Sequence, residues 1–256
     1  MEFIVSESPT VDVALRRYDS DLFPKFRAIF EPSEKDSLLR FFAQPPEEAE
    51  FALVMENRAG KDVTALRYNW IMTAEDGNVR KHKVSSDSYM VDEYQPVLQP
   101  NDGLLICRST SIHESLLDHV LNGGGTIGSG SGRQSSLVGI KSLRFEIDML
   151  LFADGEIVGP NNEGFAAELR FRKPAAEFIA NQVRTAESKS WDVIPVLSAL
   201  SEVPHLGDDF LAHWTRHYAS WFLRHMGHER TKDALLHHLE NRPTLPTFYR
   251  GEGGVR

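Results

Sequence analysis

Between Val63 and Thr73 the chain reads VTALRYNWIMT, with large apolar side chains at every second position. Leu66, Tyr68, Trp70 and Met72 share one face with Thr64, while Val63, Ala65, Arg67, Asn69 and Ile71 share the other. A period of two belongs to a β-strand, whose successive side chains point to opposite faces. The Trp70 face should therefore enter a core, and the face carrying Arg67 and Asn69 should lie nearer solvent. The same period recurs in LVGIKSLRFEIDMLLF, where Leu143, Phe145, Ile147 and Met149 alternate with Arg144, Glu146 and Asp148. FALVMEN, VRKHKVSS and GLLICRS are shorter strand-like runs. Between them lie RAGKD, AEDGN and the Pro-Asn-Asp-Gly tetrapeptide at 100–103, all rich in turn-forming residues. Asp154 and Gly155 make a hairpin signal after the longest run.

Elsewhere the apolar period lengthens towards that of a helix. SEKDSLLRFF, after Pro32, has Ser33 as an N-cap and Glu34 and Asp36 in the first turn, and Pro45 and Pro46 stop it. SIHESLLDHVLN, at 111–122, reads as a short helix striped by Leu116, Leu117, Val120 and Leu121. From Phe165, FAAELRFRKPAAEFIANQVRTAES reads as one helix broken or kinked near Pro174, or as two helices meeting there. WDVIPVLSALSEV, DDFLAHWTRHYASWFLRHMG (closing at Gly227) and ERTKDALLHHLEN complete the helical set, and NRPTLPTFYRGEGGVR follows as a tail.

Strands joined by tight turns, then helices, define an α+β chain in three zones. These are an N-terminal extension with a short helix (1–45), an antiparallel β-sandwich (46–160) and an α-helical region (161–256). The middle zone resembles an immunoglobulin-like or fibronectin-like domain, with Trp70 as a core residue. The resemblance rests on strand pattern, since the paired cysteines of immunoglobulin domains are absent. Such a likeness implies a fold and leaves function open.

Composition narrows the functional classes. With 256 residues, 41% of them apolar, the chain can bury a sizeable core. A net charge of -9 disfavours broad capture of nucleic acid, and no nucleic-acid partner is expected. Cys107 is the only cysteine, which excludes an internal disulfide, and its place in LLICRS suggests a buried, inert thiol. No run approaches the length of a membrane span and no signal sequence is visible, so a soluble, cytoplasmic protein without membrane attachment is expected.

Four features could carry chemistry. GGGTIGSGSG, from Gly123, contains G-x-G-x-x-G, but a dinucleotide loop follows a strand and opens a helix. Here the order is reversed, so a flexible connection is expected and no cofactor. Seven of the 10 histidines lie at or beyond His205. His213 and His217, at i and i+4, could bind one metal from a single helix face. Glu146 and Asp148 sit two apart on the expected wet face, and Asp154, Asn161, Asn162 and Glu163 gather oxygen donors near GEIVGPNNEG. Trp214, Tyr218 and Trp221 form an aromatic stripe that suits either a core or an interface with a protein partner or a second copy. The expectation drawn from these features is a non-catalytic binding or structural module. The alternative is a metal-dependent hydrolase using the C-terminal histidines.

Overall fold

The computed structural model describes residues 1–31, 43–88, 96–108, 111–113, 137–162, 164–202, 209–226 and 232–240. Within them the chain is mixed α+β. Its strands are β1 (Glu2–Val5), β2 (Val13–Arg17), β3 (Leu53–Asn57), β4 (Val63–Ala74), β5 (Val79–Asp87), β6 (Gly103–Ile106), β7 (Ser111–His113), β8 (Ile140–Phe152) and β9 (Ile157–Val158). A short α1 (Arg27–Phe30) falls between β2 and β3. After β9 come α2 (Phe165–Arg170), α3 (Arg172–Ser188), α4 (Val193–Ser201), α5 (Phe210–His225) and α6 (Lys232–Glu240). Two compact units result. One holds Met1–Ser86, Pro96–Ala153 and Val158–Pro160, and the other Asp87–Gln95, Asp154–Ile157 and Asn161–Arg256.

In the first unit the strands form two open sheets, ordered β1-β8-β4-β5 with β9 beside β8, and β2-β3-β6-β7. β1 runs parallel to β8, with Glu2 opposite Ser142 and Val5 opposite Phe145, so the first sheet is mixed rather than purely antiparallel. β2 pairs antiparallel with β3. Residues 1–45, expected as an extension, thus supply a strand to each sheet. At Ser111–His113 a strand paired with β6 stands where the sequence pattern suggests the start of a helix. The rest of that segment lies outside the described residues. So do the helix expected at 33–42, the glycine stretch from Gly123, Gly227 and the tail from Asn241.

Both sheets contribute to one core: Tyr68 and Trp70 from β4, Phe145 from β8, Leu53 and Met55 from β3, and Leu104 and Ile106 from β6. Trp70 is buried there against Phe145, with ring centroids 5.0 Å apart, and Phe3, at 6.1 Å. The opposite face of β3 and β6 is covered too. Val54, Leu105 and Cys107 pack with Phe26, Ile29 and Phe30, which explains why LVM and LLIC read as unbroken apolar runs.

The β4–β8 pairing shifts register at three points, Val63/Ala65, Arg67/Tyr68 and Thr73/Ala74, and the middle one falls within the alternating run of the long strand. Arg67 pairs with Met149 and Tyr68 with Ile147, leaving Asp148 as the extra residue of a β-bulge. Beyond the bulge the phase slips by one, and Leu150 and Phe152 join the core in place of the expected Met149. Gly159 meets this bulge. At φ +107° it brings its backbone so close that a Cβ would stand 2.7 Å from the Asp148 carbonyl oxygen. The expected wet face is corrected here as well, because Asn69 and Asp148 are both buried.

In the second unit, Ala175, Ala176, Ile179, Ala180 and Val183 form the inner stripe of α3. Their spacing follows the helical period, and their small side chains let neighbouring helices approach. Leu197 of α4, Trp214, Tyr218 and Phe222 of α5, and Leu235, Leu236 and Leu239 of α6 complete this core. The break after α2 falls at Phe171, and Pro174 lies in the first turn of α3, where its missing N–H costs no helical hydrogen bond. Asp192 and Asp209 cap α4 and α5 by accepting from the backbone N–H groups of Ile194 and Ala212, both at 3.0 Å. Arg184 of α3 donates to both carboxylate oxygens of Glu240 on α6 at 2.6 and 2.9 Å.

Candidate functional site

The helical unit brings His213, His217 and Tyr218 around Trp214. His213 and His217 meet the indole at centroid distances of 5.2 and 4.9 Å, both steeply inclined to it, and Tyr218 at 5.7 Å. This follows from helical geometry, since His217 and Tyr218 stand at i+3 and i+4 from Trp214 on the same side of α5, and His213 precedes it at i−1. Trp214 and Tyr218 are 5% and 0% exposed, so the interface expected of the stripe is not an open surface at these two positions. Trp221 is half-buried at the core margin. It packs against His225, whose Nδ1–H donates to the Trp221 carbonyl at 2.7 Å. Among the described residues, no three His, Cys, Asp or Glu side chains come together as a metal site.

Sequence reasoning did not single out the most unusual member of this cluster. The Arg172 guanidinium lies 4.1 Å from the Trp214 ring centre and pairs with Asp87, and Glu168 stands 4.0 Å from its other arm. The Arg172 and Asp87 side chains are 5% and 3% exposed. A charge so buried is held by its partner and by the electron-rich indole face. A second buried pair lies in the strand unit. Arg108 donates from Nε to Glu48 at 3.0 Å and contacts it again through Nη2. Burial pushes the neighbouring Cys107 thiol well above its ordinary range, and Glu48 adds to this while Arg108 opposes it. The thiol is thereby kept from forming the thiolate a nucleophile needs.

The other oxygen clusters are parts of backbone geometry. Glu146 accepts from Asn69 Nδ2 at 3.3 Å and lies 3.9 Å from Lys81 Nζ, while the bulge separates it from buried Asp148. Asp154 accepts from the backbone N–H of Glu156 at 3.1 Å, closing a turn. Asn161 accepts from that of Ala166 at 3.2 Å, in the first turn of α2, and Glu163 lies outside the described residues.

A concave site does occur in the strand unit. The segment around Pro24, β3 and the turn leading into β6 line a cleft of about 520 Å³. Phe26 and Val54 give it an apolar floor, and Lys25, Glu56, Arg58 and Asp102 give it charges of both signs. Its frame is firm. Asn57 donates to the carbonyls of Lys61 and Leu98 at 2.9 and 3.1 Å and accepts from the Ala59 N–H at 3.0 Å. Asn101, at φ +61°, turns the chain so that its N–H donates to the Asn57 carbonyl at 2.7 Å. Glu56 accepts from Arg58 at 2.9 Å and lies 3.4 Å from Arg16. Three separate sequence segments build this cleft; the strand-like run FALVMEN with the RAGKD turn and the turn at 100–103 were visible as local signals, and their meeting with the Pro24 segment was not.

Comparison of the chain with protein-family models, with curated proteins and with solved structures finds no match. Among the described residues no helix is long and apolar enough to cross a membrane.

Proposed function

We propose that the protein is a non-catalytic binding module whose ligand sits in the cleft lined by the Pro24 segment, β3 and the turn leading into β6. The supporting observation is the cleft itself. Its volume of about 520 Å³ falls within the range of small-molecule sites, roughly 300–1,000 Å³. An apolar floor beside a guanidinium, an ammonium and two carboxylates suits a small zwitterion with an apolar side chain, such as a dipeptide. The immunoglobulin-like reading belongs to the same proposal. Two sheets sharing one core support it, and the parallel β1–β8 pair is its departure from that pattern.

The test is a titration of isotope-labelled protein with leucine-containing dipeptides, followed in amide correlation spectra. The expected shifts are confined to residues around Phe23, Arg58 and Asp102, and Arg58→Ala abolishes them. If shifts are absent at millimolar peptide, or are unchanged in Arg58→Ala, the cleft is not the ligand site.

A further inference from the structure

β5 stands last in its sheet, and among the described residues its sheet neighbour is β4 alone. The hairpin that delivers it is tightly closed. Ala74 N–H donates to the Asn78 carbonyl at 2.8 Å, and Asn78 N–H to Asp76 Oδ1 at 2.9 Å. The strand then runs for nine residues, VRKHKVSSD, and Val79, Arg80, Lys81, His82 and Lys83 are all exposed. A run of Arg-Lys-His-Lys is notable in a chain of net charge -9.

The two faces of this edge can be assigned. Lys81 lies 3.9 Å from Glu146, so it shares the face of the sheet that Glu146 occupies, and alternation places Lys83 with it. Val84 packs on the core, so Arg80 and His82 lean to that other side. Cationic groups therefore flank the outer margin of β5 on both faces. Between them runs the main chain of an edge strand, whose outward N–H and C=O groups pair with any strand laid alongside.

Lysines on a sheet edge also guard against indiscriminate pairing. The two roles coincide, because a margin that repels basic strands and disfavours neutral ones is selective for an acidic one. We propose that the β5 edge is a docking site for an acidic peptide segment, which adds to the first sheet as a further antiparallel or parallel strand. Carboxylates at successive positions of such a segment alternate between the two faces, meeting Lys81 and Lys83 on one and Arg80 on the other. A peptide is favoured over nucleic acid for two reasons. It alone satisfies the edge main chain, and the chain's overall negative charge opposes a dense polyanion. This site shares no residue with the cleft, so the two proposals stand or fall separately.

The probe is a fluorescein-labelled peptide of four consecutive glutamates flanked by valine and threonine, added to the whole protein and followed by fluorescence anisotropy. Saturable binding is expected at low ionic strength, weakening as salt is raised. The paired substitutions Arg80→Glu and Lys83→Glu, which leave Lys81 beside Glu146, should weaken it at least tenfold while the urea midpoint stays put. N-methylation of alternate peptide bonds removes main-chain donors without changing charge, and it should weaken binding by a similar factor. Equal binding of the N-methylated peptide or of the charge-reversed variant would overturn the proposal. So would a single-stranded oligonucleotide of equal charge binding as tightly, no binding at all, or a dimer that the same substitutions dissociate.

Discussion

The guanidinium of Arg172 sits 4.1 Å from the ring centre of Trp214, with Asp87 as its buried ionic partner. The pair has a structural meaning that substitution can expose. Arg172→Met should lower the stability of the helical unit by about 3–5 kcal/mol, because Asp87 is left as an uncompensated buried charge. Adding Asp87→Asn should return a large part of that loss. Urea unfolding followed by circular dichroism at 222 nm, for the two single variants and the double, measures the coupling.

Trp214→Ala should cost about 3–5 kcal/mol in the same experiment, as expected of a large aromatic side chain removed from a packed interior. If the variant kept its midpoint and changed only in oligomeric state by light scattering, the buried position of the indole would be the wrong account.

Gly159→Ala and Gly77→Ala form a controlled comparison. Both glycines have positive φ, but only at Gly159 would the new methyl group meet backbone, 2.7 Å from the Asp148 carbonyl oxygen. Gly77→Ala should cost roughly 1–2 kcal/mol from the left-handed conformation alone. Gly159→Ala should cost distinctly more, read as a larger drop in thermal midpoint.

Cys107 should make stability depend on pH in the alkaline range. Its folded-state thiol is raised, so the contribution is fully present below the unfolded thiol value of about 8.5 and is lost as pH rises above it. In that window the unfolded chain releases a proton that the folded chain retains. Stability should fall by about 1.4 kcal/mol per pH unit from this group. Cys107→Ala should have a flatter profile between pH 8 and 10, whatever its absolute stability, in urea titrations at each pH.

Zinc titration by calorimetry tests the hydrolase alternative. With His213 and His217 packed against Trp214, the expected outcome is no binding tighter than micromolar and no difference in a variant carrying alanine at both positions. Tight, histidine-dependent binding would restore that alternative.

What could be read from the sequence follows the strength of local periodicity. The strand from Val63 carries its alternation over enough residues to be unmistakable, and so do the helices around Ile179 and Trp214. β1 is four residues long and is stabilised by pairing with distant β8, so no local pattern marks it, whereas β2 lies in VDVALRRYDSDLF, whose pattern fits a strand or a short helix equally. The bulge at Asp148 is a register event between two strands, and alternation alone carried the phase one residue too far. Arg172 lies in RFRKP, where a charged residue looks like part of a solvated face, and its burial comes from Asp87 and Trp214. The cleft was unreadable for the same reason. Phe26, Val54 and Asp102 are brought together only by the tertiary fold.

The parallel pairing of β1 with β8 sets an order of events. Phe3 and Val5 reach their places only when Leu143 and Phe145 are present, and those partners lie far along the chain. Closing so long a loop costs entropy before any contact rewards it, so the first sheet is completed late and slowly. A nascent chain therefore carries an unsatisfied apolar strand until Leu143 and Phe145 have been made, and in that interval it depends on whatever keeps such strands from associating with one another.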